Sequence, residues 1–253
     1  KLTGQLRTLA TGQVPVLRLC ASHDLLIARL RELAENAGTL ALEVRFMGSL
    51  ESLAAMARGE CDLAGFHVAT FDVGLEARAR IERLLRPKRH RVVELMRREQ
   101  GLIVARAVPV RALRDLTRRG IRFVNRQPGS GTRLLLEELL RREGIAAGAI
   151  RGYEHEEFPH GAVAATVAAG MADVGFGIRA AAAQYRLDFV PLAKERYFLG
   201  GRSEAFEAPG FALLVKLLRS RACRELAREL PGYTLAARMT PGPPEGVFEA
   251  NRG

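Results

Sequence analysis

No apolar run in these 253 residues approaches the roughly 20 that cross a bilayer, so insertion through a transmembrane helix is not expected. Cysteine is scarce: Cys20, Cys61 and Cys223 form an odd set without CxxC spacing, each among apolar neighbours. That suits small buried side chains in a reducing compartment better than a disulfide framework. A cytoplasmic location is therefore expected, with a periplasmic or other extracytoplasmic one as the alternative if a signal peptide has been removed. Lysine is rare beside arginine, with four (Lys1, Lys88, Lys194, Lys216) among 39 basic residues. The formal charge of +11 rests on arginines dispersed along amphipathic stretches with glutamates between them, which reads as a salt-bridged surface rather than a clustered phosphate-binding stripe. The first residues, Lys1-Leu2-Thr3-Gly4, include neither an initiator Met nor an apolar h-region, as in a processed chain or a piece of a longer one.

Signatures of catalysis are also missing. His155-Glu156-Glu157 lacks the HExxH spacing of a metalloprotease, five His and three Cys form no metal-ligand cluster, and there is no GxSxG elbow. Neither a metal nor a cofactor is expected. Cys20 near His23 is the one nucleophile-and-base pairing, and a strand-interior Cys is usually inert. An enzyme on this framework would need an acid–base pair, for which His23-Asp24 is the candidate; the expectation is a protein that is not an enzyme.

What is present is an ordinary globular composition, 48% hydrophobic and 26% charged, in a chain long enough for one large domain or two lobes. Short apolar runs alternate with helical patterns, the signature of βαβ units. Val16–Cys20 reads as a strand, with Ser22 as N-cap of a helix through Leu25, Leu26, Ala28, Leu30 and Leu33. Leu40–Phe46 reads as a strand, Ser49 caps a helix through Leu53 and Met56, and Asp62–Phe66 is a third strand. Residues 74–100 are charged and helical in pattern, broken at Arg86-Pro87-Lys88-Arg89-His90-Arg91. The alternation then restarts: a strand from Gly101 to Ala105, a helix from Val110 to Arg119, a strand from Ile121 to Asn125 and a helix from Ser130 to Arg142 closed by Gly144. A small-residue helix (Pro159–Ala169) and strands at Val174–Ile178 and Phe189–Leu192 complete it. Gly59-Glu60-Cys61-Asp62-Leu63 and Gly170-Met171-Ala172-Asp173-Val174 echo each other, each between a helix and a Gly-Phe strand end.

The strongest local signal is Asn125-Arg126-Gln127-Pro128-Gly129-Ser130-Gly131-Thr132-Arg133, between a strand and a helix. There, free backbone N–H groups, the positive dipole end, the hydroxyls of Ser130 and Thr132 and the Arg133 fork suit an oxyanion. The loop is neither a Walker A motif nor a full GxGxxG. Other strand-to-helix turns carry donors at matching places: Ser22-His23 after the first strand, Gly48-Ser49 after the second, and His160-Gly161 opening the small-residue helix. His67 closes the third strand and is placed to line the same cleft. In doubly wound sheets, ligands sit beyond the carboxyl ends of the strands, so these turns are expected to converge.

The stretch from Gly48-Ser49-Leu50-Glu51 through Cys61-Asp62-Leu63-Ala64-Gly65-Phe66-His67 resembles the first lobe of periplasmic-binding-protein-like domains related to molybdate-binding proteins. Gln100-Gly101-Leu102, Phe123–Arg133, Gly152-Tyr153, His160–Ala164 and Gly170–Gly177 resemble its second-lobe motifs. The resemblance implies an α/β type II periplasmic-binding-protein-like fold, a Venus flytrap of two doubly wound lobes with a ligand cleft between them. The first lobe would be 1–103 with 194–253, the second 104–193, and the crossovers would lie near Ile103 to Arg106 and Leu192 to Tyr197. It further implies a sensor for molybdate, tungstate or a related oxyanion, of the kind fused to a helix-turn-helix module that binds DNA; no such module is recognisable in this sequence. The alternative is the solute-binding receptor of an ABC importer. Ser22, His23, Ser49, His67, Ser130, Gly131, Thr132, Arg133, His160 and Gly161 are the expected ligand contacts. A homodimer is allowed. Residues 71–90 and 232–253 match no motif.

Overall fold

The computed structural model describes residues 14–70 and 75–248. The chain start at Lys1-Leu2-Thr3-Gly4 lies outside the described residues. Strand β1 (Val16–Ala21) pairs in parallel with β2 (Ala41–Phe46) and β3 (Leu63–Ala69). Helix α1 (Leu25–Ala37) buries Leu26, Ile27, Leu30 and Ala34, a stripe at helical spacing that packs on Leu17, Leu19 and Ala21. Helix α2 (Ser49–Arg58) covers the opposite face, where Leu53 and Met56 meet Cys20, Ala64 and Phe66.

Both expected serine caps are corrected. Asp24 caps α1, its Oδ1 accepting from the Leu26 and Ile27 N–H groups at 2.8 and 3.0 Å. Ser22 instead extends the sheet, its N–H donating to the Gly65 carbonyl. Gly48 is the N-cap of α2, Glu51 reaches back to its N–H, and Ser49 is the first helical residue. Neither serine hydroxyl is held by capping.

Helix α3 (Leu75–Leu84) agrees with the helical pattern, but the residues after the break do not continue it. They form β4 (His90–Val104), a 15-residue strand antiparallel to the equally long β8 (Asp188–Arg202). A register irregularity between Glu94 and Met96 explains the misreading: it lets Val92, Val93, Leu95 and Met96 all face cores, a spacing that imitates a helical stripe. The apolar stretch at Gly101 is the end of β4. There a Cβ would lie 2.0 Å from the Val190 carbonyl oxygen, so the approach of the crossing strands requires glycine.

Beyond the crossing, β5 (Phe123–Arg126), β6 (Glu156–Glu157) and β7 (Val174–Ile178) form the second half of the sheet with α4 (Gly131–Arg142), α5 (His160–Ala168) and α6 (Arg179–Gln184). The strand order is β2-β1-β3-β8-β4-β7-β5-β6. β8 pairs with β3 through Glu195–Gly201 and β4 pairs with β7 through Gln100–Val104, so two long strands serve both halves. The helix expected over 110–119 is a single 3₁₀ turn, Leu113–Thr117, because the Asp115 carboxylate takes the Arg111 and Ala112 N–H groups as a tight turn after Pro109. Helices α7 (Ser203–Glu207), α8 (Pro209–Leu218) and α9 (Arg221–Arg228) follow. Phe211, Leu214, Leu218 and Cys223 return to the core of the first half, and β9 (Thr234–Leu235) pairs with β4.

The sequence echo is a structural repeat. Asp62 accepts from the Arg18 N–H and guanidinium at 2.8 Å each, and its own N–H donates to the Arg18 carbonyl. Asp173 makes the same contacts with Arg122 at 2.7 Å. Gly59 and Gly170 both end their helices at positive φ (82° and 71°). Each half therefore closes the return from helix to strand with the same clamp.

Candidate functional site

The site lies where the two halves meet. From the first half, His67 on β3 has its Nδ1 3.1 Å from the Ser22 hydroxyl and 3.3 Å from that of Ser49. From the second half, Gly131 at the start of α4 abuts the same ring: a Cβ there would lie 2.0 Å from His67 Nε2. A Cβ on Gly48 would lie 3.7 Å from the Gly129 carbonyl, so the two glycine turns also approach each other. Thr132 Oγ1 accepts from Gln100 Nε2 at 3.1 Å. His160 opens α5 with its ring 6.4 Å from that of His23, which in turn packs 5.0 Å from Phe46. Five of the expected contacts (Ser22, Ser49, His67, Gly131, Thr132) thus cluster through His67 and Gln100, with His23 and His160 paired beside them.

The floor is built by the crossing strands. Arg98 on β4 and Glu195 on β8 stand opposite each other in register, with Arg98 Nε donating to Glu195 Oε1 at 2.6 Å. Arg98 Nη1 donates to Asp24 Oδ2 at 2.6 Å, and the Tyr233 hydroxyl donates to the same oxygen at 2.7 Å. Tyr197 donates to the Ser22 carbonyl, under the guanidinium of Arg98. This network holds the first α1 turn, both crossing strands and the C-terminal segment in one arrangement.

Several buried polar atoms here have no hydrogen-bond partner: His23 Nδ1, His67 Nε2, Gln100 Oε1, Arg126 Nη1, His160 Nδ1 and Glu195 Oε2. Orphaned buried groups are rare and costly, and a concentration of them at one junction marks a place for a polar guest. Burial pushes the His23, His67 and His160 imidazoles below their ordinary range, aided by the charge of Arg126, and His160 lies furthest below. All three rings are neutral at pH 7. Burial and the nearby Arg98 bring the Arg126 guanidinium down to about 10, so it keeps its charge. Burial alone would raise the Glu195 carboxyl, but the charge of Arg98 holds it below the usual carboxylate range.

The other expected contacts are placed differently. The Ser130 hydroxyl caps α4 by accepting from the Arg133 N–H at 3.2 Å. Arg133 donates to Glu137 at 2.9 Å and to the Arg126 carbonyl at 3.2 Å, with Glu156 3.4 Å away and the Tyr153 ring 4.2 Å beneath it. Its charge is already engaged by these partners. Gly161 follows His160 with open space around it. Of the buried guanidinium nitrogens without a hydrogen bond, those of Arg98 and Arg179 face the Glu195 and Glu99 carboxylates, whereas Arg126 Nη1 faces none among the described residues; alternation along β5 puts Arg126 on the face of Val124, toward α5. That period-two pattern was the signal available for it. Among the described residues no group of His, Cys, Asp or Glu is arranged to hold a metal ion, and no helix is long and apolar enough to cross a membrane.

Two α/β halves sharing two crossing strands, with orphaned polar groups at their junction, define a two-lobed ligand-binding domain of the type II periplasmic-binding-protein fold. A sequence profile described as "PBP superfamily domain" matches residues 30–219, and the chain belongs to that family. It is 34% identical to the uncharacterized protein YvgK of Bacillus subtilis (strain 168) over 155 residues, 60% of this chain and 50% of YvgK. The match thus spans about half of that relative's length. It is 39% identical over 104 residues to an uncharacterized protein from the 5′ region of a Clostridium pasteurianum ferredoxin gene, 41% of this chain and 92% of that one. Among solved structures, a Clostridium perfringens protein assigned as a phosphate ABC transporter substrate-binding protein, with bound phosphate, superposes with TM-score 0.64 at 13% identity, covering 87% of this chain and 99% of that one. The regulatory domain of the LysR-family regulator MetR from N. meningitidis gives 0.61 at 14%, covering 88% and 98%. The sulfate-bound regulatory domain of a Vibrio vulnificus OxyR2 mutant gives 0.55 at 15%, covering 81% and 95%. At these identities the structures share the fold.

Proposed function

We propose that this chain is a non-enzymatic sensor domain that captures a compact tetrahedral oxyanion between its two halves and reports occupancy to a fused DNA-binding module. The observation that carries this is the buried Arg126 Nη1, orphaned beside His23 and His160 and within electrostatic reach of His67. The first amides of α4, at Gly131 and Thr132, have no intrahelical acceptor and add the positive end of a helix dipole. His67 Nδ1 can accept only one hydrogen from the two serine hydroxyls, so the other hydroxyl is free to turn to a ligand oxygen. Because donors come from both halves, a bound anion favours the arrangement in which the halves touch, which is the differential affinity a population shift needs.

Molybdate and tungstate are the anions the family resemblance suggests; phosphate and sulfate have the same shape. Isothermal titration with all four is expected to give saturable binding for at least one. Arg126→Gln is expected to weaken it about 10²-fold, since a charge-assisted contact in a buried site is worth about 1.5–3 kcal/mol. Flat titrations with all four anions would refute the reading.

The receptor of an ABC importer is the second reading, favoured by the superposition on the phosphate-bound Clostridium perfringens protein. The reading frame ahead of Lys1 separates the two: a helix-turn-helix supports the sensor, a signal peptide or lipobox the receptor.

A further inference from the structure

All three cysteines are free thiols, and two of them are neighbours away from the junction. Cys20 on β1 stands directly across from Arg45 on β2 in the parallel register, and Arg45 Nη2 donates to Cys20 Sγ at 3.2 Å. The same Arg45 nitrogen lies 3.6 Å from Glu60 Oε2, so this guanidinium ties the residues after α2 to β1. Cys61 follows Glu60 on the way into β3 and packs in one cluster with Cys20, Leu53 and Met56. Its thiol is in hydrogen-bond contact with the Cys20 thiol. Cys223 is buried in the core on the opposite face of the sheet.

Contact between two thiols adds little to stability, since S–H is a weak donor and sulfur a weak acceptor. What the pair offers is chemistry. Cys20 is fully buried, yet the group bonded to its sulfur is an exposed side chain, so a small oxidant has one surface residue to displace. The charge on Arg45 offsets the negative charge that develops on the Cys20 sulfur as it attacks. Cys61 has a different part. Burial pushes its thiol up to about 12, so it keeps its proton at pH 7 and stands ready as a second sulfur beside the first.

We infer that Cys20 and Cys61 are an oxidation site: hydrogen peroxide converts the pair to a reversible disulfide, with Cys20, held by Arg45, as the attacking sulfur and Cys61 as the resolving one. In the first step the Cys20 sulfur attacks one peroxide oxygen. An S–O bond forms, the O–O bond breaks, and the leaving hydroxide takes the Cys20 proton, giving a sulfenic acid and one water. In the second step the Cys61 sulfur attacks that of Cys20. The S–S bond forms, the S–O bond breaks, and hydroxide departs with the Cys61 proton as a second water. Two thiols have then lost two electrons and two protons to one peroxide. The bridge closes a loop of about 40 residues and joins β1, just before Ser22, to the far end of the helix that begins at Ser49. It staples the two elements that carry the hydroxyls at His67, whatever the cleft binds.

The test treats the whole reduced chain, folded, with a small excess of hydrogen peroxide, blocks the remaining thiols with iodoacetamide in denaturant, and maps the peptides by mass spectrometry. The expected product carries iodoacetamide on Cys223 and a linked Cys20–Cys61 peptide pair that dithiothreitol separates. The same treatment in urea, where the contact is lost, is expected to scramble the links among all three cysteines. In Cys61→Ser the sulfenic acid should stay on Cys20 and be captured there by dimedone. In Arg45→Met, whose fold is checked by its melting curve, bridging should slow about tenfold. Three alkylatable thiols after treatment of the folded chain would overturn the inference. Links to Cys223 in the folded chain, oxygen added to Cys20 while Cys61 stays free, or an unchanged rate in folded Arg45→Met would each overturn it as well. Anion titration, which tests the oxyanion reading, is a separate measurement, so either can fail while the other stands.

Discussion

Gly131→Ala isolates the contact between the halves. In the structure a Cβ at residue 131 would sit 2.0 Å from His67 Nε2 and 2.6 Å from Cε1, against about 3.4 Å or more for an ordinary contact. The ring has little room to retreat, since its Nδ1 is held by Ser22 and Ser49 and its other face meets Tyr197 and Glu195. The new methyl must therefore push α4 and β3 apart by an ångström or so, a cost of about 1–3 kcal/mol by analogy with overpacked cores. That cost falls on the arrangement in which the halves touch and on little else. Residue 131 is the first residue of α4 with φ outside the left-handed region, and alanine is the better helix former by up to about 1 kcal/mol. Anion affinity is expected to fall about 5- to 150-fold, the same 1–3 kcal/mol expressed as a population shift, with the ligand-free melting temperature unchanged or slightly raised. Titration calorimetry and thermal melts measure the two effects, and the radius of gyration from small-angle scattering should grow on average. Wild-type affinity in Gly131→Ala at an unchanged radius would refute the claim that this approach is part of the bound state.

Further consequences concern stability. His23, His67, His90 and His160 are all held below their ordinary value, so the folded chain binds fewer protons than the unfolded one. Their contribution is complete above about pH 6.5 and is lost as the pH falls toward the folded values, up to about 1.4 kcal/mol by pH 5.5 for each ring that stays neutral. Melts at pH 7.5 and 5.5 should show the drop, and Phe at His160, the most deeply shifted ring, should shrink it. Arg98→Met strips the guanidinium bonded to both Asp24 and Glu195, and is expected to cost about 3–5 kcal/mol in urea unfolding. Tyr233→Phe removes one hydrogen bond to Asp24 and should cost about 1–3 kcal/mol, tying the C-terminal segment to the site.

Much of this fold was legible because it is local. Leu26, Ile27 and Leu30 lie one turn apart, and Gly59 and Gly170 punctuate their helices wherever the chain goes next. Those signals mark the β1-α1-β2-α2-β3 run and the echo at Asp62 and Asp173, whereas the partners of those aspartates, Arg18 and Arg122, are distant in sequence and emerge only in the fold. Ser22 and Ser49 were picked out as caps and belong at the junction for the opposite reason, that Asp24 and Gly48 do the capping and leave their hydroxyls to His67. Arg133 reads as the charged contact because it stands at the helix start, next to Ser130 and Thr132. A helical side chain leans back over the preceding turn, which here carries it to Glu156 and Tyr153. Arg98 and Glu195 left no local trace: they are 97 residues apart, and only the antiparallel register of β4 and β8 makes them neighbours. The same register hid β4 itself, whose irregularity at Glu94 breaks the alternation that marks a strand.

The distribution of roles across the chain explains why the junction needs both halves. The first half supplies hydroxyls and imidazoles, none of them charged at neutral pH. The second supplies the guanidinium of Arg126, the His160 imidazole, the Thr132 hydroxyl and the open amides of α4. The crossing strands supply Glu195 and Gln100, the acceptors, and Arg98, which holds Glu195 in place. The first half alone would present only uncharged groups, and the second alone a cation without the Ser22 and Ser49 hydroxyls gathered at His67. A change at Gly131, which removes no donor and only moves the halves, should therefore alter how tightly an anion is held.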